Sequence, residues 1–344
     1  MPISVLKYWG AFLAKGLLRL LLVLIGVSSI TFASTRMIGN PAYLIAGDRA
    51  TPEMIDSIMQ DMGLDRPLWE QYRNYMLSVA QGDLGTSRFT FQPVVVDLMD
   101  RLPATVEIST VALILGMLWC IPIGIVSAVR KGGFVDKFVA VVANQIGLSV
   151  PSFWLGLLLI YGLSFQMQLL PMPLGRLDFD LVSPTHVTGL FVVDSILARD
   201  LVTLKSALMH LLLPSITLAI GFSPPILQLT RDTVLQIIES EPIRGAIAFG
   251  LPSRIIYPRY VLKQAIPPVA TSIALTFGWM LSGTVLVETV FAWPGIGLYA
   301  VEAINHLDYE PVIGLVLVSA AIYVIIFFLT DLLHFALDPR LRSE

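Results

Sequence analysis

The chain has 344 residues, of which 56% are hydrophobic and only 14% are charged, and its mean hydropathy is +0.78. A water-soluble core of this length cannot bury so much apolar surface, so the composition predicts a membrane protein. The net charge of -3 gives no indication of a nucleic-acid or polyanionic partner. The single cysteine, Cys120, excludes an intrachain disulfide and lies in an apolar run, where packing is its expected role.

Six apolar windows follow one another along the chain. Crossing about 30 Å of hydrocarbon takes roughly 20 helical residues, and windows this long and continuous favour helices over the short alternating strands of a barrel. The sequence therefore predicts an all-α integral membrane protein with six transmembrane helices. The windows are residues 17–34, 104–129, 138–165, 206–229, 269–291 and 311–335.

The distribution of lysine and arginine predicts the orientation, because short cytoplasmic loops are enriched in these residues. Basic residues precede the first window, fill the connection after the second and follow the last, so we expect both termini in the cytoplasm. The first window is longer than the apolar region of a signal peptide, about 7 to 15 residues, which favours an uncleaved span over a cleaved signal. The basic residues are Lys7, Lys15, Arg19, Arg130, Lys131, Lys137, Arg340 and Arg342.

The outer segments also contain structural signals. Thr51, Pro52 and Glu53 predict a helix start, since a hydroxyl can cap free amides and proline is favoured at the first helical position. Gly63 predicts the end of that helix, and residues 67–80 predict a second amphipathic helix. Residues 166–205 predict an irregular outer loop, and residues 293–297 predict a turn at the membrane interface.

A charged segment, residues 241–268, separates the fourth window from the fifth. Its four basic residues predict a cytoplasmic position, and its length and charge favour a surface that docks a partner over an ordinary basic loop. Gly250 is expected to end a short helix there, since glycine adopts left-handed backbone angles at little cost. The basic residues are Arg244, Arg254, Arg259 and Lys263.

The charged segment contains the pattern Arg-x-Ala-x-Ala-x-Gly-Leu from Arg244 to Leu251, and further blocks, such as residues 82–85 (GDLG) and 337–340 (LDPR), follow in order along nearly the whole chain. Together they resemble the B-type inner-membrane permeases of the dipeptide/oligopeptide family of ABC importers. The Arg-x-Ala-x-Ala-x-Gly-Leu pattern of the charged segment resembles the EAA loop of these permeases. Asn40, Gly245 and Tyr260 depart from the family pattern, and Pro252 and Pro258 leave the geometry of the second half of the loop open. The other blocks are residues 63–67 with 71–72, 82–85, 101–107, 150–156, 288–297 and 337–340.

The resemblance implies a type I ABC-importer permease fold in a bacterial inner membrane, with a second homologous permease, two ATPase subunits and an extracytoplasmic solute-binding protein as partners. It implies an N-terminal segment, residues 1–103, and a five-helix core, residues 104–344, containing the EAA-like loop at about 236–265. Family cargo is usually di- or oligopeptides, while some members carry nickel, opines, glutathione or oligosaccharides. Coupling to the ATPases would involve Glu241, Arg244, Ala246, Ala248, Gly250 and Leu251.

Polar residues and prolines within the windows suggest the translocation path, since broken helices at membrane depth are tolerated where they line a cavity. Static packing kinks are the alternative. Glu288 stands near the C-terminal end of its window, where the helix dipole disfavours a carboxylate. The path candidates are Asn144, Gln145, Pro151, Pro224 and Glu288, and the candidates for docking the binding protein are Arg66, Trp293 and Asp308.

The chain lacks a Gly-x-x-x-x-Gly-Lys-Ser/Thr phosphate loop. We therefore expect a transport subunit rather than an enzyme, with no cofactor of its own and with ATP and Mg²⁺ used by the partner ATPases. The four histidines are dispersed without metal-ligand spacing. An ion-coupled secondary carrier is the alternative function, but it would place ionisable residues at mid-membrane, whereas these windows carry charges mainly at their ends.

Overall fold

The computed structural model describes residues 3–38, 51–61, 63–141 and 150–337. Apart from one isolated bridge between Thr86 and Pro93, these residues form helices and connections without a strand, so the all-α prediction is confirmed. The helices are α1 (Ile3–Ile38), α2 (Pro52–Asp61), α3 (Leu68–Ala80), α4 (Val94–Val129), α5 (Phe134–Val141), α6 (Ser152–Leu159), α7 (Phe191–Leu197), α8 (Leu201–Phe222), α9 (Pro224–Ile238), α10 (Glu241–Ala248), α11 (Ser253–Ile256), α12 (Lys263–Gly283), α13 (Val285–Val290), α14 (Ile296–Asn305) and α15 (Tyr309–Leu337).

Four helical segments in the described part of the chain are long and apolar enough to cross a membrane: Ala14–Ser34, Val94–Val129, Leu201–Phe222 and Tyr309–Leu332. They coincide with the first, second, fourth and sixth apolar windows. The third window contains α6 and the π-helical turn that continues it, Ile160–Gln166, while residues 142–149 lie outside the description. The fifth window contains α12 and α13, which are separated by Thr284.

The outer helices follow the sequence signals. The amide of Met54 donates to Thr51 Oγ1 at 3.3 Å, so Thr51 caps α2 from its side chain. Gly63, just after α2, has a φ of +62°. α3 matches the second amphipathic helix. The predicted irregular outer loop is interrupted by α7, whose start is organised by Asp194: this carboxylate accepts from the amides of Thr188 and Gly189 at 2.8 and 2.9 Å.

Contacts divide the chain into two compact units, one formed by residues 1–100 and 299–325, the other by residues 101–298 and 326–344. In the first unit, the Tyr299 hydroxyl donates to Asp97 Oδ2 at 2.7 Å. The second unit contains three hydrophobic clusters, one of which joins Ala128 at the end of α4 to Val234, Ile243 and Val261. The division at residue 103 stays a prediction.

Candidate functional site

α10 carries most of the residues predicted to couple the chain to an ATPase. It begins after Ser240, whose backbone is extended, and Pro242 lies in its first turn. Glu241 places a negative charge at the positive end of the helix. Ile243 is buried against the cluster that contains Ala128 and Val234, so one side of α10 is anchored on the ends of α4 and α9.

Gly250 ends this helix as the sequence predicts. Its φ is +75°, its amide donates to the carbonyl of Ile247 at 2.9 Å, and the amide of Leu251 donates to the carbonyl of Ala246 at 3.1 Å. These two bonds form a Schellman motif, in which a left-handed residue satisfies the last carbonyls of a helix. Ala246 and Leu251 both pack on the cluster beneath α10, so the helix end is fixed in position.

The end of α10 exposes two large apolar side chains: Ile247, in its last turn, is 56% exposed, and Phe249, directly after the helix, is 87% exposed. Arg244 and Ala248, two predicted coupling residues, are also exposed, and the Arg244 guanidinium lies 3.7 Å from the Glu241 carboxylate. Sequence reasoning missed Ile247 and Phe249. The signal that could have found them is the presence of an isoleucine and a phenylalanine in the three residues before Gly250, in a segment predicted to face the cytoplasm.

The second half of the loop is helical despite its prolines. Pro252 has extended backbone angles, φ -71° and ψ 143°, and immediately precedes α11. Pro258 lies within a π-helical turn, Tyr257–Leu262, that joins α11 to α12. The wider turn accommodates a residue that lacks an amide donor, so the geometry left open by the sequence is a continuous helical path into α12.

Glu288 is completely buried and organises the segment that follows it. Its Oε1 accepts from the hydroxyls of Thr105 and Thr284 at 2.7 and 2.8 Å, and its Oε2 accepts from the amides of Gly297 and Leu298 at 2.7 and 3.0 Å. The carboxylate therefore binds the first amides of α14 and joins α13 to α4. Glu288 thus has hydrogen-bond partners that account for its burial by a structural role. Its role in a translocation path stays a prediction.

Two of the three candidates for docking a binding protein are buried. Trp293 is 1% exposed and donates from Nε1 to the carbonyl of Ala104 at 2.9 Å. Asp308 is 2% exposed and its Oδ2 accepts from the Ser87 hydroxyl at 2.8 Å and the Arg88 amide at 2.7 Å. Each side chain fixes its own loop, and the docking role of both stays a prediction. Arg66 is exposed, and its docking role stays a prediction.

A buried ion pair, also missed from the sequence, fixes the outer connection. Arg176 donates to Glu107 Oε2 at 2.6 Å and to the carbonyl of Gly189 at 2.9 Å, and its guanidinium lies 3.4 Å from the centre of the Phe191 ring. Burial lowers the pKa of Arg176, and the charge of Glu107 opposes that effect. The pair holds the loop before α7 against α4.

The path candidates are separated along the chain. Asn144 and Gln145 lie outside the described residues. Pro151 is exposed just before α6, with extended backbone angles. Pro224 is buried at the first position of α9, where Ser223 interrupts the fourth apolar window between α8 and α9. The irregularity expected in the fourth window is therefore present.

Comparison with known proteins places these features in a family. The family described as binding-protein-dependent transport system inner membrane component matches residues 120–343, and the corresponding N-terminal family matches residues 10–109. The chain belongs to this family. It is therefore a multi-pass membrane permease of the ABC importers, with the type I fold, and it works with ATPase and binding-protein partners as a transport component rather than an enzyme.

Relatives of this permease cover nearly its full length. The probable D,D-dipeptide transport system permease of Escherichia coli K12 is 42% identical over 326 residues, or 94% of each chain. The dipeptide transport system permease of Alkalihalophilus pseudofirmus is 36% identical, covering 96% of this chain and 99% of the relative. The di/tripeptide transport system permease of Pseudomonas aeruginosa is 34% identical, covering 97% and 99%. These matches give no support to an ion-coupled carrier.

Proposed function

We propose that the permease forms one half of a heteromeric pore in a bacterial inner membrane, paired with a second homologous permease. An extracytoplasmic binding protein delivers di- or oligopeptides to its outer face. Two ATPase subunits bind ATP and Mg²⁺, and the permease holds no cofactor. The names of the three relatives support a short peptide as cargo, because each of them is a dipeptide or di/tripeptide transport permease.

The observation that carries the coupling role is the exposed apolar pair at the end of α10, Ile247 and Phe249. Burying a side chain of this size contributes about 1.5 to 3 kcal/mol, so Ile247 and Phe249 together offer a strong contact to a groove on an ATPase subunit. The Schellman end at Gly250 and the buried Ile243 hold that pair in one orientation. An ATPase that closes on α10 can therefore move the permease as a rigid body.

The first prediction concerns this contact. Replacing both side chains, Ile247→Ala with Phe249→Ala, should reduce the amount of ATPase subunits that co-purify with the detergent-extracted importer. We expect a reduction of about ten-fold or more, because the lost binding free energy exceeds about 1.4 kcal/mol. The matched control is Phe134→Ala, since Phe134 is 84% exposed at another cytoplasmic connection. Equal recovery of the ATPases with the wild type, the double variant and Phe134→Ala would contradict the docking role of α10.

A second prediction concerns the cargo. The cognate binding protein should be thermally stabilised by di- and tripeptides, because a ligand that binds the folded state raises its free energy of unfolding. The same peptides should stimulate ATP hydrolysis by the reconstituted importer. Glutathione, a nickel chelate and an oligosaccharide serve as comparison ligands. Stabilisation by one of these and by none of the peptides would show that the peptide assignment is wrong.

A further inference from the structure

A largely buried ion pair joins α9 to the beginning of α5. Arg231 Nε donates to Asp136 Oδ1 at 2.5 Å. The same carboxylate accepts from the Ser127 hydroxyl at 2.9 Å and, through Oδ2, from the amide of Gly132 at 2.8 Å. Asp136 thus connects the end of α4, the turn that follows it and α5 to a single side chain of α9.

The electrostatics keep this pair charged. The hydrogen bond from Arg231, with the weaker help of the Gly132 amide, holds the pKa of Asp136 well below its usual range. The same contact raises the pKa of Arg231. Charge-assisted hydrogen bonds of this kind are directional as well as strong, so the pair fixes the direction in which α5 and α9 face each other.

Apolar contacts bring the same helices together. Val139 of α5 packs with Ile226 and Leu227 of α9. A methyl group added at Gly124 of α4 would lie 3.0 Å from the carbonyl of Leu227 and from Cβ of Thr230. The helices α4, α5 and α9 are therefore in close contact, and α9 leads to α10 through only Glu239 and Ser240.

We propose that the Asp136–Arg231 pair transmits movement of α10 to α5, at the start of the third apolar window. The proposal rests on the docking of α10 proposed above. A displacement of α10 moves α9 because only two residues of the backbone separate the two helices. The ion pair then passes it to α5, whereas the apolar contacts between these helices are non-directional and can slide.

A neighbouring pair offers a comparison within the same elements. Lys131 Nζ lies 2.6 Å from Glu239 Oε1, but both side chains are about half exposed. Exposed ion pairs contribute little because water screens them and ordering two long side chains costs entropy. Lys131 and Glu239 also link the connection between α4 and α5 to the end of α9, so they test whether any ion pair suffices or whether the largely buried Asp136–Arg231 pair is required.

The experiment uses the complete importer in nanodiscs, with ATP hydrolysis measured in the presence and absence of the peptide-loaded binding protein. For D136N and R231Q we expect wild-type recovery of the ATPases and wild-type basal hydrolysis. Stimulation by the loaded binding protein should fall by at least about five-fold, the lower range of coupling between sites. The control K131Q should keep its stimulation. The variant R231K, which keeps a cation able to donate to Asp136, should recover part of the stimulation that R231Q loses.

Two results would overturn the proposal. One is full stimulation of both single variants. The other is an R231K variant no better than R231Q, since a positive charge opposite Asp136 would then not be what carries the stimulation. Failure of the docking role is a separate result, because it shows as unchanged ATPase recovery in the variants of Ile247 and Phe249. The variants of Asp136 and Arg231 are compared with the wild type only in the stimulation of ATP hydrolysis by the loaded binding protein, using preparations with equal ATPase recovery.

Discussion

Gly250→Val should abolish transport and cargo-stimulated ATP hydrolysis while leaving membrane abundance unchanged. The φ of Gly250 is +75°, and a β-branched residue held in this region costs about 1 to 3 kcal/mol. No neighbouring atom lies within 4 Å of the added Cβ, so the effect comes from backbone strain that unwinds the end of α10. Ile247 and Phe249 would then lose their fixed orientation. Transport assays in whole cells, normalised to the permease in the membrane, measure the result.

Gly245→Ala is the matched control for this change. Gly245 lies within the same helix, its φ is not positive, and an added Cβ would meet nothing within 4 Å. Alanine favours a helix over glycine by roughly 0.5 to 1 kcal/mol, so this variant should transport at least normally. Wild-type transport by Gly250→Val would remove the case for α10 as the coupling element.

The second large effect is expected from Glu288→Ala, which should remove most of the folded permease from the membrane. The substitution leaves two hydroxyls and two amides without their acceptor, and each unsatisfied buried group costs about 1 to 3 kcal/mol. The sum is comparable to the whole stability of a typical domain, about 5 to 15 kcal/mol. Immunoblots of membrane fractions and the melting temperature of the detergent-solubilised protein provide the measurements.

Two further variants separate charge from packing at this position. Glu288→Gln keeps one oxygen for the amides of Gly297 and Leu298 and can donate from its nitrogen to a threonine hydroxyl, so its abundance should be intermediate. Thr289→Ala is the control, because Thr289 is exposed and its hydroxyl bonds only to the carbonyl of Val285 in its own helix. If Glu288→Ala were as abundant as Thr289→Ala, the carboxylate would not be holding α14 in place.

Local signals in the sequence were sufficient for the helices and for the end of α10. A run of apolar residues determines a helix in lipid without help from distant residues, and the preference of Gly250 for a left-handed angle depends only on its own backbone. The start of α2 at Pro52 is equally local. These predictions hold because each feature is decided by residues that are close together in the chain.

Contacts between distant residues decided the features that sequence reasoning missed. Trp293 was expected at the interface and Asp308 on the outer surface, yet both are buried because the carbonyl of Ala104 and the Ser87–Phe89 backbone provide their hydrogen-bond partners. Neither partner is near in sequence. For the same reason, no local pattern shows that Arg231 reaches Asp136.

The bond between Thr105 and Glu288 also has a consequence for biosynthesis, because 183 positions separate the two residues. At a synthesis rate of about 5 to 20 residues per second, Thr105 leaves the ribosome on the order of ten to forty seconds before Glu288. During that interval α4 is already synthesised, and the Thr105 hydroxyl has to be satisfied by water or by its own backbone. The outer end of this permease therefore reaches its final arrangement late, once the chain has been made through Leu298, and a ribosome that stalls before that point leaves α4 without its partner.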